Sequence, residues 1–452
     1  MLLSLAVGFA GASPLVAATI DVYLTGSTAF RANVYTACQK LYVGGVPNIY
    51  YGDAAHGGAG SGFSSKTASW VMTGTPITQL TNIQGNTLVI HGLFTGSIQG
   101  MQTVEQSTRL AFAQPSVTGT INGLCDTYVT NSPTIGFSDA SGDATPYPAT
   151  GNYAQEDVAV IPFVICKSRA TGNVSNYVNN ISWEQLEYGI PQGQIPVSAW
   201  SNKDGPDRTN NFIYLLQRTL DSGTRRVETA QQYYGYGDSV GIYIFDKTNQ
   251  FFYQPSSSAN SSVGNYPYGV VGPAGVGNVN LNWGYGYVGG GDIANVLNYT
   301  SSSNQSIGYL SIGDAKSVGA TNWNNVISFN GLWPTAAGVS IHGAITGATN
   351  DFSPITSGFY PCWGAEVLVH IINPSANPPG DQNITQTQLG NNTTPGTFLS
   401  VFNGQTLING GNPLTGSIEN EIELSKTNSA TAIRLSDMNS NRGSVGGGIS
   451  PF

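Results

Sequence analysis

Charge is scarce in this chain: 452 residues carry only 16 Lys and Arg and 25 Asp and Glu, a charged fraction of 9%. The formal net charge of −9 excludes a binder of nucleic-acid backbones, which needs a basic face. Histidine is as rare. His56, His91, His342 and His370 are scattered and no CxxC occurs, so neither a metal site nor any other cofactor is expected. Four cysteines, Cys38, Cys125, Cys166 and Cys362, are too few to define a disulfide framework and leave three complete pairings open. After the N-terminal stretch no apolar run reaches the roughly 18 residues that a membrane-spanning helix requires.

What fills the chain instead is 58 Gly together with Ser, Thr, Asn and Tyr, which take the surface role usually held by Lys and Glu. That composition is common outside the cytoplasm. The N-terminus agrees, because MLLSLAVGFAGASPLVAA is a short apolar run ending in small residues, read here as a signal peptide over residues 1–18 that lacks the usual basic start. A soluble, exported protein, periplasmic or extracellular, is expected. Its length exceeds one ordinary core, so two domains or one elaborated domain should form.

The chain alternates strands with helical stretches. TIDVYLTGSTAFRANVYTACQKLY reads as strand, Gly-Ser-Thr turn and amphipathic helix, with Phe30, Val34, Cys38 and Leu41 at helical spacing, so Cys38 fits a buried apolar thiol. TLVIHGLFTGSIQGMQTVEQS repeats that grammar, and PTIGFSDAS is a strand ending at Asp139. VAVIPFVIC is wholly apolar, as expected of a strand inside a parallel sheet. This is α/β organisation. Residues 44–86 look like an inserted hairpin region, residues 250–291 like Gly- and aromatic-rich loops, and the tail from about Pro374 like a small β extension or a partly disordered segment.

RTLDSGTRR places three of the few arginines, Arg218, Arg225 and Arg226, around a bare Ser-Gly-Thr. Between FIYLLQ and TRRVETAQQYY it reads as a strand, a tight turn and a helix start with open backbone N–H groups, a ready anion site. Three more strand ends share this character: TGST (Thr25 to Thr28), TGSIQG (Thr95 to Gly100) and FSDAS (Phe137 to Ser141). In an open α/β sheet ligands bind beyond the carboxyl ends of strands. Hydroxyls, open N–H groups, one arginine fork and one carboxylate at such ends make an oxyanion cradle. A carboxylate suits an anion site when the anion keeps a proton to donate to it, as phosphate does near neutral pH and sulfate does not. The plainer alternative for Asp139 is a helix N-cap. GDSVG, residues 237–241, matches G-x-S-x-G, but Ser239 precedes the strand-like IYIF where a nucleophile elbow needs a strand before it and a helix after it.

Taken in order, GSTAF, IGFSDAS, AVIPFVI, ISWEQLEYGIPQGQIPVSAW, QRTLDSGTRR, GGGDIANVLNYTSSSNQSIGYLSIGDAK, ISFNGLWPT and SGFYPCW resemble the type II periplasmic solute-binding proteins, and among them the phosphate-binding component of the phosphate ABC importer, over roughly residues 20–372. The resemblance implies an α/β, two-lobed fold with a ligand cleft between lobes, carrying here the inserted hairpin and a C-terminal extension. The expected division is 19–160 for lobe 1 with the insertion, 161–305 for lobe 2, 306–373 for the return to lobe 1, and 374–452 for the extension. VAVIPFVI and IGYLSI would be the crossing segments.

By position, the resemblance makes Arg218 the charged fork, with Ser222, Gly223 and Thr224 donating from the following turn and helix start. Ser27, Thr28 and the Ala29 N–H would donate from the first lobe, Ser97 from the second strand's turn, and Asp139 would accept. The chain departs from the family where a proline often follows the first turn, and where Asp221 replaces the glycine before the SGT serine. The implied protein is not an enzyme. It is a monomer that captures inorganic phosphate and hands it to the membrane subunits of an ABC importer, with no nucleic-acid partner. A structural, adhesive or sensory extracellular protein that reuses the same fold is the competing reading.

Overall fold

The computed structural model describes residues 17–53, 56, 67–116, 121–147, 153–169, 178–200, 212–220, 222–232, 234, 240–246, 251–254, 286–299, 305–318, 325–335, 351–372, 383–391, 394–403, 418, 432–442 and 449–451. The expected signal peptide lies outside these residues but for its last two, and so do Asp221, Ser239 and most of the aromatic loop region.

The chain begins with β1 (Thr19–Gly26) and α1 (Arg31–Lys40), followed by the hairpin strands β2 (Asn48–Tyr51) and β3 (Ser69–Gly74). Next come β4 (Thr87–Leu93), α2 (Ser97–Glu105), β5 (Leu110–Ala113), β6 (Gly123–Leu124), β7 (Tyr128–Asn131) and β8 (Ile135–Ser138). The long β9 (Tyr153–Lys167) leads to β10 (Asn180–Ile181), α3 (Trp183–Gln192), β11 (Gln194–Pro196), β12 (Phe212–Leu216) and α4 (Gly223–Gln231). Then follow a small ribbon of β13 (Ile244–Asp246) and β14 (Phe251–Tyr253), α5 (Gly290–Asn298), β15 (Gln305–Ser311), α6 (Ile312–Ala315), β16 (Val326–Phe329), α7 (Ser353–Thr356) and β17 (Trp363–Ile371). Two short helices, α8 (Gln386–Leu389) and α9 (Phe398–Asn403), belong to the C-terminal extension.

The result is a mixed α/β architecture on a 13-stranded sheet, ordered β11-β12-β15-β9-β17-β8-β1-β4-β3-β2-β6, with β10 and β16 off that path. β1 runs parallel to β4 and β8, so the loops leaving all three emerge at one edge. β12 and β15 are parallel to each other in the other half. β2 and β3 pair antiparallel, the hairpin expected in the insertion.

β9 joins the halves. From Tyr153 to Pro162 it pairs with β17, and from Phe163 to Lys167 with β15. Its apolar core suggested a parallel neighbourhood, yet β15, β16 and β17 all run antiparallel to it. Burial on both faces dictates an apolar sequence whatever the direction of the partners, so the run alone cannot give that direction. β15 and β16 both pair with the far portion of β9, and the chain returns to the first half only at β17.

The described residues of the extension include a two-stranded antiparallel pair, Ser440–Arg442 with Ile449–Pro451, and a helix packed into the first half's core. Every residue of α9 is buried, and Phe402 meets Phe137 edge-on at 6.1 Å. Phe137 also contacts Phe30 and Phe94, so one aromatic cluster lies beneath the ends of β1, β4 and β8. The extension is tied down at both ends of its path. Asn383 bonds the Asp21 N–H and the Thr19 carbonyl on β1, while Ile433 and Val160 exchange two backbone bonds on β9. All four cysteines are buried and no disulfide joins them, so the possible pairings are not made. Among the described residues no helix is long and apolar enough to cross a membrane.

Candidate functional site

Each candidate residue sits at the carboxyl end of a strand. Ser27 follows β1, Ser97 opens α2 after β4, Asp139 follows β8, and Arg218 to Thr224 follow β12. The sequence produces this placement simply: an apolar strand stops where small polar residues begin, and the next turn starts a helix whose first N–H groups face the sheet edge.

Asp139 is the centre of the cluster. It is 1% exposed, and its carboxylate accepts from the Ser97 hydroxyl on Oδ1 and from the Thr224 hydroxyl on Oδ2 at 2.8 Å. One donor belongs to the first half of the sheet and the other to the second, so this carboxylate bridges them. It does not act as a helix N-cap: the short turn that follows is led by Ser141, and Asp139 spends one oxygen on Ser97 and the other on Thr224.

Arg218 is 4% exposed, and its fork is fixed by acceptors. Nε donates to the Tyr287 carbonyl at 3.3 Å, Nη2 to the Val288 carbonyl at 2.8 Å and Nη1 to Thr224 Oγ1 at 3.4 Å. Arg225 steadies the same strand end from below, since its Nη1 donates to the Arg218 carbonyl at 3.1 Å. Ser222 caps α4 by accepting the Arg225 N–H at 3.3 Å, and its own hydroxyl proton remains able to donate. The cap is a local reason for the helix to start at Gly223, worth about 1 kcal/mol.

Gly223 lies so close to Asp139 and Ser97 that a Cβ there would overlap Asp139 Oδ1 and come within 2.8 Å of Ser97 Cβ. Only glycine lets the α4 N-terminus approach the opposite half this closely. Gly223→Ala should therefore hold the two sides apart, lowering both stability and anion affinity by about 1–3 kcal/mol, the usual cost of overpacking. Denaturant unfolding and calorimetric titration of the variant check this. Unchanged values for both would mean that the close approach is dispensable.

The remaining predicted residues are less engaged. Ser27 is buried, donates its backbone N–H to the Phe137 carbonyl and accepts the Phe30 N–H on its hydroxyl at 3.2 Å. Thr28 and Ala29 occupy the half-buried turn into α1, and among the described residues neither is hydrogen-bonded to the Asp139 cluster.

Two charged groups at this edge were not singled out from sequence. Arg31, the first residue of α1, lies near Asp314 and Asp292 of the second half and near Arg218. Burial lowers its pKa, while the two carboxylates oppose that shift. It stands just after GSTAF, where the resembled family often has proline, and an arginine in so charge-poor a chain was the available signal. The other is Glu366, fully buried on β17. Deeper in α4, burial pushes the Glu228 carboxyl up to about 8, against a hydrogen bond from Gln217 and the charge of Arg225. No group of His, Cys, Asp and Glu able to hold a metal ion occurs among the described residues.

Neither a protein-family model nor a curated protein matches this sequence. Among solved structures, an ABC-type phosphate transport receptor from Vibrio cholerae is similar at 12% identity, covering 80% of this chain and 89% of that one, with a TM-score of 0.34. PstS from Borrelia burgdorferi is similar at 14% identity over 78% of this chain and 87% of that one, with a TM-score of 0.30. A phosphate-binding protein from Stenotrophomonas maltophilia is similar at 15% identity over 80% of each chain, with a TM-score of 0.32.

Proposed function

We propose that this chain is an extracytoplasmic solute-binding protein that captures inorganic phosphate between the two halves of its sheet and delivers it to an ABC importer. The observation that carries the reading is the convergence of one arginine fork, hydroxyls from Ser97 and Thr224, the α4 N-terminus and one carboxylate at a single sheet edge. When phosphate enters, the Ser97 and Thr224 hydroxyls turn from Asp139 to the phosphate oxygens and join the Ser222 hydroxyl and the α4 N–H groups, Arg218 supplies the charge, and the released Asp139 carboxylate accepts the proton that phosphate retains. Because the donors come from both halves, a bound oxyanion would complete its hydrogen bonding only with the halves together. The overall negative charge gives no long-range attraction, so capture rests on these local, partly buried donors.

A panel of phosphate, sulfate, arsenate and molybdate in a thermal-unfolding assay tests the reading. A ligand present at about 100 times its dissociation constant adds about 2.7 kcal/mol of stability, a readily measured rise in Tm. Phosphate should give the largest shift. No shift with any oxyanion would overturn phosphate capture and favour a structural or adhesive role.

A further inference from the structure

Glu366 interrupts an otherwise apolar strand, WGAEVLVHI, and is 0% exposed. The register of β17 against β8 pairs Leu368 with Phe137 and Val367 with Ser138. Continuing it by one position sets Glu366 across from Asp139, where the other neighbour, β9, bulges by one extra residue, Val158, opposite Glu366 and Val367. Gly364, two residues back along β17, presses on the Asp139 carbonyl, where a Cβ would stand 3.0 Å from that oxygen. Neither carboxyl oxygen of Glu366 has a well-formed hydrogen-bond partner among the described residues, although the Ser27 hydroxyl lies near enough to favour its ionised form.

A buried carboxylate with no well-formed hydrogen bond, beside a second carboxylate, is strongly disfavoured. We propose that Glu366 is held protonated behind the Asp139 carboxylate in the floor of the anion site, so that this carboxyl pair presents one negative charge, not two, to an oxyanion. This deepens the phosphate reading and rests on it for the identity of the anion. It adds Glu366 as a residue that sets which oxyanions are tolerated: a doubly charged floor would repel phosphate as well as sulfate, whereas a singly charged floor still accepts the phosphate proton.

The groups that face Glu366 support the assignment. Burial raises the pKa of Glu366, the charge of Asp139 at the end of β8 adds to that rise, and Ser27 at the end of β1 lowers it. Ala159 of β9 lies opposite it in register, and α4 sets the apolar Val227 against Gly364 and the neutral Gln231 against the Trp363 carbonyl of this strand. The other titratable pair on β9 and β17, Glu156 with His370 at 3.6 Å, lies further along the strand. Burial and the neighbouring charge act in the same direction, well above the ordinary value of 4.5.

Infrared difference spectroscopy between wild type and E366Q at pH 7 reads the proton directly. The wild type should show the carbonyl stretch of a neutral carboxylic acid that the variant lacks, and its absence would overturn the pair. Titration of ligand-free stability is a second measurement. A carboxyl whose folded pKa lies above its unfolded value loses stability as pH rises from about 4.5, so E366Q should gain on the wild type steadily above that pH. A constant difference across that range would also overturn the pair. Adding phosphate should shift the infrared band, because the anion sits beside the carboxyl pair that holds the Glu366 proton. Phosphate binding that leaves the band unmoved would remove the pair from the anion site. If phosphate does not bind at all, the phosphate reading fails, and the ligand-free spectra still decide whether the proton is there.

Discussion

Arg218→Ala is expected to weaken phosphate binding by roughly 30- to 150-fold, the equivalent of about 2–3 kcal/mol for a charge-assisted, bidentate contact. The geometry explains why no other residue can substitute. Two backbone carbonyls and Thr224 hold the guanidinium in one orientation, so its freedom is already lost before an anion arrives. Arg218→Lys should recover little, because a single ammonium cannot satisfy the Tyr287 and Val288 carbonyls while also presenting a planar fork. The truncation removes the arginine's bond to the Val288 carbonyl, while the Tyr287 carbonyl keeps the Thr219 N–H, so some loss of stability accompanies the loss of affinity. Calorimetric titration of the folded variant, beside an unfolding curve without ligand, separates the two effects. A folded Arg218→Ala protein that binds phosphate as tightly as the wild type would place the anion elsewhere.

The strand ends were legible because the physics is local. A run such as FIYLLQ followed by small polar residues must end a buried strand, and a serine before TRRVETAQ is a good helix cap. The neighbours of a strand are not local, and β9 shows the consequence, since its apolar sequence fits parallel and antiparallel partners alike. Glu366 and Arg31 were missed for a related reason. A single charged residue in a strand or at a helix start means nothing until another chain segment is placed beside it. The extension is different, because Phe398, Leu399, Val401 and Phe402 repeat at helical spacing within a polar tail. Composition averaged over the tail masked a short apolar helix that the local pattern contained.

Asp139→Asn is expected to raise sulfate affinity relative to phosphate by about 1–3 kcal/mol, the cost of one unpaired buried acceptor, or roughly 5- to 150-fold in the affinity ratio. The substitution keeps size and shape, so the cluster can persist. An amide offers one acceptor oxygen where the carboxylate offered two, and its nitrogen only donates. Either Ser97 or Thr224 must therefore turn its hydroxyl to accept, which both can do because the O–H rotates freely. The bridge between the two halves survives in altered form, and the change falls mainly on the anion. Toward phosphate, the variant loses the acceptor of the phosphate proton but also loses a repelling charge, and the two effects oppose each other. Toward fully ionised sulfate, only the repulsion is removed. Competitive binding of the two anions to wild type and variant measures the ratio, with ionic strength fixed because screening alone alters anion affinity. A wild-type protein that already binds sulfate as well as phosphate would show that Asp139 does not read the phosphate proton, and would leave this carboxylate with one role, tying the two halves together through Ser97 and Thr224.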